Sequence, residues 1–471
     1  MPLEAPEPPR AAAPAFSDGL DAPRRHWAAF GLILSIIVVV LDASMTNVAL
    51  PSIARSLSVD PDQVVWVAMA YNLIVVVSLL PLSAVGERIG FKTVYVAGMI
   101  VVSLAGIAAA LSSTLTMLIA ARIFQGLGAA MLMCLFGGIL RNIYPLRLLA
   151  FGIGLNSMSV GLVSVLGPAV GAVTLQFASW PWIFILPLPF AVASLFCVRF
   201  LPDIPRSSTR FDWLACLLGV PTFGLLLIGL DGLARYPVWA VPGLIVCALT
   251  GRLLLQRSRR QAAPLVPVDL LRLVPVAYAV TASLFTFGSQ MASLVALPFY
   301  FQEQLGHNYS AVGLLLGAWA LGMAAMAPAA GYLSNRVSVA VLCAVGAGLM
   351  AAGTGAVLFM SANTPLLWVF SAMLASGIGF GLFQTPNNRA ILSGGPKHRS
   401  GAVGGLQSIT RVLGQSIGTA LVAIAFSLAG ADGAAFGVGV SVICALASVA
   451  INIFRYMNPA PDLPVGKPNS S

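Results

Sequence analysis

Asp42 is an acidic side chain deep in a long apolar run, within the stretch LDASMTNVALP at residues 41–51. A carboxylate is costly inside a membrane, so such a group is usually paired or binds and releases protons. Ser35, Asp42 and Thr46 have the spacing i, i+7, i+11, which places them on one face of a helix. We expect this stripe to face a polar cavity, because lipid would not tolerate it.

Arg122 is a second charge inside an apolar run. At 1.5 Å per residue, Asp42 lies roughly 12 Å and Arg122 roughly 10 Å from the outer ends of their segments. One interpretation is a structural ion pair that locks the two segments together. The other is a protonatable site at which protons and substrate compete, because desolvation favours the neutral carboxyl group. Both interpretations hold if Arg122 tunes Asp42.

The composition identifies the elements that must carry these charges. Of 471 residues, 59% are hydrophobic and 8% are charged, whereas soluble domains have about 25% charged residues. This predicts an all-α polytopic membrane protein whose net charge of +10 reflects topology rather than nucleic-acid binding. The six cysteines lie in apolar segments without a CxxC motif, so we expect free thiols and no metal site.

Fourteen segments are long and apolar enough to span a bilayer, which takes about 20 residues. They are 27–50, 63–85, 92–111, 115–140, 148–175, 181–201, 211–231, 238–254, 275–302, 310–333, 337–360, 365–390, 401–428 and 433–454. An even number of spans places both termini on one side of the membrane.

The distribution of basic residues predicts which side that is. If both termini are cytoplasmic, only Arg55 and Arg235 of the 25 Lys and Arg residues fall in outer loops, while Arg122 and Arg411 lie inside spans. Basic residues concentrate in cytoplasmic loops of membrane proteins. We therefore expect cytoplasmic termini.

An internal repeat divides the chain. SAVGER at 83–88 and GYLSNR at 331–336 each follow a proline and end an apolar segment, and two like halves are typical of transporters. Segments 211–231 and 238–254 repeat nothing and resemble an insertion. The predicted divisions are a disordered tail 1–26, a six-helix bundle 27–201, the insertion with its linkers 202–274, a second bundle 275–455 and a tail 456–471.

Four motifs resemble those of the major facilitator superfamily, in its fourteen-span drug:proton antiporter branch, over about residues 28–455. LDASMTNVALP resembles the first-span signature, and SAVGERIGFK at 83–92 resembles the loop motif G-x-L-a-D-R-x-G-R-K. LIAARIFQGLGAA at 118–130 resembles the fourth-span motif with its buried arginine, and GLVSVLGPAVGA at 161–172 resembles the fifth-span antiporter motif. Ser83 and Glu87 depart from the loop motif, which has glycine and aspartate there.

The resemblance implies roles for these residues. It implies proton coupling at Asp42 and Arg122. In the fifth-span motif it implies the tightly packed helix contact by which an exporter prevents proton leakage, formed by Gly161, Gly167, Pro168 and Gly171. In the loop motif it implies a latch that holds the two halves together. The latch residues are Gly86, Glu87, Arg88, Gly90 and Lys92. Ordinary helix packing and charge anchoring are the alternatives for these two motifs.

Further polar and aromatic side chains on the spans are weaker candidates for a substrate cavity. They are Trp66, Tyr71, Gln125, Phe285, Phe287, Gln290, Met291, Asn387, Asn388 and Arg411. Arg411 lies roughly 15 Å into its span, where it either binds carbonyls freed by Pro386 or contacts substrate. We expect Glu303, at the end of its span, to lie at the rim.

The resemblance implies a proton-coupled antiporter that exports toxic cationic or amphipathic molecules by alternating access. It would be a monomer in the bacterial plasma membrane, with a periplasmic adaptor protein as a further conceivable partner. The first alternative is a narrow exporter of one endogenous metabolite, followed by an uptake symporter or a receptor. No catalytic constellation or nucleotide-hydrolysing domain is evident, since GERIGFKT at 86–93 lacks phosphate-loop spacing. A proton gradient, with no cofactor, would therefore drive transport.

Overall fold

The structure is a computed structural model. Its described part contains fourteen helices that are long and apolar enough to cross a membrane. The described residues are 19–64, 66–204, 206, 212–232, 237–261, 264, 267–395, 399–429 and 432–458. These helices confirm the predicted all-α membrane fold with fourteen spans.

The spanning helices follow the predicted segments to within a few residues, apart from α1. The first seven are α1 Ala22–Leu57, α2 Trp66–Ile89, α3 Phe91–Ala110, α4 Leu115–Ile143, α5 Leu146–Phe177, α6 Trp182–Phe200 and α7 Trp213–Gly232. The second seven are α8 Pro237–Arg259, α9 Val274–Phe299, α10 Tyr309–Leu333, α11 Val339–Val357, α12 Leu366–Gly394, α13 Ser400–Ala429 and α14 Gly433–Met457.

The start of α1 corrects the predicted disordered tail 1–26, because the helix already begins at Ala22. Pro23 lies in its first turn, where a missing N–H costs nothing. Just before the helix, the Leu20 N–H donates to the Ile143 carbonyl at 3.0 Å. Residues 1–18, and most of the predicted tail 456–471, lie outside the described residues.

The helix α6 is interrupted near its start. A single turn at Trp182–Ile185 precedes the longer helix Leu188–Cys197. Pro187 lies between them, and proline cannot donate the backbone hydrogen bond that would continue the first turn. The turn before the break carries Phe184, whose ring lies 5.7 Å from the Arg122 guanidinium of α4.

Two groups of six helices build the protein. Helices α1–α6 pack together, as do α9–α14, while α7 and α8 pack mainly against each other and α7 touches α2 and α13. The insertion predicted between the halves is therefore a peripheral helix pair. We retain 27–201 and 275–455 as proposed limits of the N-terminal and C-terminal bundles.

The bundles meet mainly along α5 with α10 and along α13 with α2 and α4. On α5, a Cβ atom added at Gly154 would lie 2.6 Å from the Ala327 carbonyl oxygen. A Cβ atom at Gly331 on α10 would lie 2.5 Å from the Ala150 carbonyl oxygen. Glycine at these two positions lets the backbones touch on the side of the membrane where the termini lie.

Candidate functional site

Asp42 and Arg122 form an ion pair inside the N-terminal bundle. Arg122 Nη1 donates to Asp42 Oδ2 at 2.7 Å, and both residues are only 1% exposed. Gln125, one turn further along α4, donates from Nε2 to Asp42 Oδ1 at 2.8 Å and accepts from Arg122 Nη1 at 2.8 Å. Each oxygen of the carboxylate thus has a donor, which satisfies a charge that burial alone would make costly.

Arg122 also connects this pair to other helices. Its Nε donates to the Val67 carbonyl on α2 at 3.2 Å, and its guanidinium lies 4.2 Å from the centre of the Tyr71 ring. The centre of the Phe184 ring of α6 lies 5.7 Å from the same guanidinium group. One arginine therefore ties α1, α2, α4 and α6 together through charge, hydrogen bonding and cation–π contact.

The predicted cavity-facing stripe on α1 is wrong in its direction. Ser35 and Thr46 are fully buried within the N-terminal bundle, and their hydroxyls donate to the carbonyls of Leu32 and Asp42 at 2.7 Å. Backbone carbonyls one turn earlier satisfy such hydroxyls without any water. A polar helix face must be shielded from lipid, and packing against a neighbouring helix shields it as well as a cavity would.

A cavity lies between the two bundles, with about 680 Å³ of space that is partly open to the surroundings. Its walls come from α1, α4 and α5 on one side and from α12 and α13 on the other. The lining residues are Ile36, Val39, Val40, Met133, Phe136, Gly137, Leu140, Ile153, Asn156, Ser157, Val160, Gln384, Asn388, Leu392, Gln407, Ser408 and Arg411.

Of the weaker cavity candidates, Asn388 and Arg411 line this space. Sequence reasoning missed Gln384 and Gln407, which also line it. The signal was available, because Gln384 with Asn388 and Gln407 with Arg411 are both i, i+4 pairs that share a helix face. No hydrogen bond joins Arg411 to another described residue, so the expected contact with carbonyls near Pro386 is not found.

The other candidates lie elsewhere. Tyr71 and Gln125 belong to the Asp42 network, and Asn387 donates to the Ala279 carbonyl at 2.9 Å within the C-terminal bundle. Trp66 is 45% exposed at the start of α2. Phe285 and Glu303 are exposed, Phe287 packs on Phe380, and Gln290 and Met291 are half-buried outside the cavity lining.

The loop motif joins the bundles through Glu87. Its Oε1 accepts a hydrogen bond from the Ala402 N–H at 2.8 Å, in the first turn of α13. Ser83 Oγ, one turn earlier on α2, donates to the Gly401 carbonyl at 2.7 Å. A carboxylate at a helix N-terminus satisfies an unpaired N–H and complements the helix dipole. Glu87 thus forms the contact despite replacing the usual aspartate.

The remaining loop-motif residues make the following contacts. Gly90 has φ +105°, a left-handed conformation that favours glycine, and a Cβ atom at Gly86 would lie 2.7 Å from a Leu135 methyl group. Arg88 Nη1 donates to the Ala84 carbonyl at 3.1 Å. Lys92 Nζ lies 2.7 Å from Asp203 Oδ1, and this hydrogen bond holds the pKa of Asp203 below its ordinary value.

Glu87 therefore offers a test of the contact between the bundles. Glu87→Ala removes the cap of α13, which typically costs about 0.5–2 kcal/mol, so this face should open more often. We expect impermeant thiol reagents to label Ser157→Cys in the cavity several-fold faster from this face in Glu87→Ala. The control Lys92→Gln breaks an ion pair within one bundle to an exposed Asp203, so its labelling rate should stay near that of the parent. Equal rates in Glu87→Ala would contradict the latch.

The antiporter motif on α5 packs in two directions. A Cβ atom at Gly161 would collide with Met323 of α10 in the other bundle, whereas one at Gly167 would lie 2.6 Å from Ser44 Cβ of α1. At Gly171 it would lie 3.4 Å from Met45 Cα, and Pro168 is exposed. The motif therefore packs α5 closely against α1 and also contributes to the contact between the bundles.

The second copy of the loop motif lies in an equivalent place. Asn335, after the end of α10, donates from Nδ2 to the Arg147 carbonyl of α5 at 3.5 Å. Nearby, Arg389 of α12 donates to the Ser334 carbonyl at 2.8 Å. Both repeats therefore contact the opposite bundle at the same face. Among the described residues, no group of His, Cys, Asp and Glu side chains is arranged to hold a metal ion.

A profile of the Major Facilitator Superfamily matches residues 32–419. The chain is 38% identical to the uncharacterized transporter YebQ of Escherichia coli K12, over 94% of this chain and 98% of YebQ. It is 26% identical to the riboflavin transporter RibZ of Clostridioides difficile, over 86% and 89% of the two chains. It is also 26% identical to the tetracenomycin C resistance and export protein of Streptomyces glaucescens, over 85% and 76%.

The fold is that of solved members of this superfamily. The structure of the proton:xylose symporter XylE superposes with a TM-score of 0.65, covering 93% of this chain and 96% of XylE. The sequence identity is 13%, so the likeness extends to the fold alone.

Proposed function

The chain belongs to the major facilitator superfamily, and from this membership we propose that it is a proton-coupled antiporter that exports toxic amphipathic molecules by alternating access. Family membership makes the protein a multi-pass membrane transporter rather than an enzyme. Coupling to protons, the outward direction and the range of substrates are the proposed parts.

The observation that carries this proposal is the position of α1. Ile36, Val39 and Val40 of this helix line the cavity between the bundles, and Asp42, on the next turn, is held in the buried ion pair with Arg122. A change in the charge of Asp42 would therefore act on a helix that forms the cavity wall.

The hydrogen bonds of Arg122 suggest how proton binding reaches the latch. Protonation of Asp42 would weaken its bond to Arg122, which also holds the Val67 carbonyl of α2. The other end of α2 carries Ser83 and Glu87, which contact α13 in the opposite bundle. In this proposal α2 is a rigid element, and its position depends both on the protonation of Asp42 and on the latch contacts with α13.

The relatives favour two ranges of substrate. The tetracenomycin C resistance and export protein supports export of toxic compounds. The riboflavin transporter supports a narrow substrate range of one metabolite, as in the second candidate, but does not indicate the direction of transport. The cavity walls carry both apolar and polar side chains, which suits amphipathic cargo. Carboxylates are absent from the residues that line this cavity, so its chemistry does not support a preference for cations.

We propose that both termini are cytoplasmic and that the membrane is a bacterial plasma membrane. The support is the scarcity of basic residues in the loops opposite the termini, where Arg55 and Arg235 lie. Under this orientation the latch closes the cytoplasmic face. One chain contains both bundles and the cavity between them, so a monomer suffices for alternating access.

Inverted membrane vesicles test coupling and orientation together. Vesicles energised to acidify their interior should accumulate toxic amphipathic compounds, and a protonophore should abolish that accumulation. Protease added outside should remove a tag placed after residue 471. Accumulation that ignores the proton gradient would contradict antiport, and a protected tag would reverse the orientation. Transport of one metabolite alone, across a panel of compounds, would select the narrow exporter.

A further inference from the structure

The polar side of the cavity belongs to the C-terminal bundle. Arg411 on α13 faces this space together with Gln384 and Asn388 on α12. The Nε atom of Arg411 and the Oε1 atom of Gln384 are both buried without a hydrogen-bond partner among the described residues. Buried polar groups in folded proteins are normally paired, so these atoms require an explanation.

The contrast with Arg122 shows what Arg411 lacks. Arg122 has Asp42 at 2.7 Å, together with Gln125 and a backbone carbonyl. The residues that line the cavity around Arg411 include no Asp or Glu. An arginine at this depth in a membrane protein is costly unless an opposite charge or water reaches it. Among the described residues no carboxylate pairs with Arg411, so an opposite charge at this position would come from a bound molecule.

We propose that the cavity binds an amphipathic organic anion, whose carboxylate, sulfonate or phosphate group pairs with the Arg411 guanidinium. A planar guanidinium fits such groups with two parallel hydrogen bonds. The side-chain amide N–H groups of Gln384 and Asn388 can donate to the same anionic group, while Gln384 Oε1 can accept from a hydroxyl or N–H group elsewhere on the ligand or from water. This assignment rests on the proposed function, because the anion is the exported cargo.

The opposite wall fits the apolar part of such a molecule. Ile36, Val39 and Val40 of α1 and Phe136 of α4 face the polar groups across the cavity. The N-terminal wall also carries Asn156 and Ser157 of α5 but is otherwise apolar. A charged wall facing a largely apolar wall selects molecules with an acidic group at one end of a largely apolar body.

Matched dyes test the charge preference directly. The full-length protein in nanodiscs of zwitterionic lipid is titrated with fluorescein, which is anionic, and with rhodamine 123, a cation that shares its xanthene body. We expect fluorescein to bind the parent protein and to bind Arg411→Gln at least about tenfold more weakly, since a charge-assisted hydrogen bond is lost. Rhodamine 123 should bind Arg411→Gln no more weakly than the parent.

Two control variants separate charge recognition from folding. Arg411→Lys keeps the charge and should recover part of the fluorescein affinity. Arg257→Gln removes an equal charge that pairs with Asp212 beside the peripheral helices, and it should leave fluorescein binding unchanged. Because Arg411 has no hydrogen-bond or ion-pair partner among the described residues, Arg411→Gln should melt, without ligand, at or above the temperature of the parent. Fluorescein should raise the melting temperature of the parent but not that of Arg411→Gln.

Several outcomes would overturn the inference. They are no fluorescein binding to the parent, equal fluorescein affinity in Arg411→Gln, or rhodamine 123 binding that depends on Arg411 in the same way. Adding phosphatidylglycerol to the nanodiscs identifies the source of the anion, because competition with fluorescein would assign the site to a lipid headgroup and remove the cargo role. The dye-binding assay uses no proton gradient. Fluorescein binding can therefore be absent while proton-driven accumulation is observed, or present while accumulation is absent, so the two proposals fail independently.

Discussion

Asp42→Asn should reduce proton-driven efflux to the background of vesicles without the protein, while exchange of labelled for unlabelled substrate continues in part. Asparagine resembles the protonated carboxyl group, so the site could no longer cycle between charged and neutral forms. Exchange moves no net proton and therefore does not need that cycle. Efflux and counterflow, measured in the same proteoliposomes, check this prediction. Normal efflux in Asp42→Asn would remove Asp42 from the coupling step.

The stability of the same variant separates the two interpretations of the ion pair. Asp42→Asn leaves the Arg122 guanidinium buried without a countercharge, and breaking such a pair typically costs about 3–5 kcal/mol. The double variant Asp42→Asn/Arg122→Gln removes both charges, so its protein level and melting temperature should recover. If Asp42 couples protons, proton-driven efflux should stay absent in the double variant. Restored efflux would make the pair purely structural.

Gly154→Val should stop transport by holding the bundles apart on the side of the termini. A Cβ atom there would lie 2.6 Å from the Ala327 carbonyl oxygen and 3.0 Å from Pro328 Cα. Both are backbone atoms, so no side-chain rotation relieves the contact. Overpacking of this kind costs about 1–3 kcal/mol, which is roughly a 5- to 150-fold shift between two conformations.

Thiol labelling and a matched glycine make this second prediction specific. We expect Ser157→Cys in the cavity to react about tenfold faster from the side of the termini when Gly154→Val is present, in keeping with the shift above. A Cβ atom at Gly331 would meet the Ala150 carbonyl in the same contact, so Gly331→Val should increase the labelling rate in the same way. Gly439 of α14 has open space around it, so Gly439→Val should transport normally. Unchanged labelling in both interface variants would mean that this contact does not close the cavity.

Many features of the site were predictable because they depend on local sequence. Periodic apolar runs define the spans, since each helix satisfies its own backbone within lipid. The pairing of Asp42 with Arg122 followed from depth alone, because two opposite charges at one level of a bundle attract each other. The peripheral place of 211–254 followed from the internal repeat, which those segments interrupt.

The sequence alone therefore determined the number of helices, their membership of two bundles and the identity of the buried charges. Only the tertiary structure decided which way each polar face points. Ser35, Asp42 and Thr46 turn into the N-terminal bundle, whereas Arg411 faces the cavity without a hydrogen-bond partner among the described residues. Helical periodicity groups residues on a face, but the rotation of that face depends on the neighbouring helices, which lie far away in the chain.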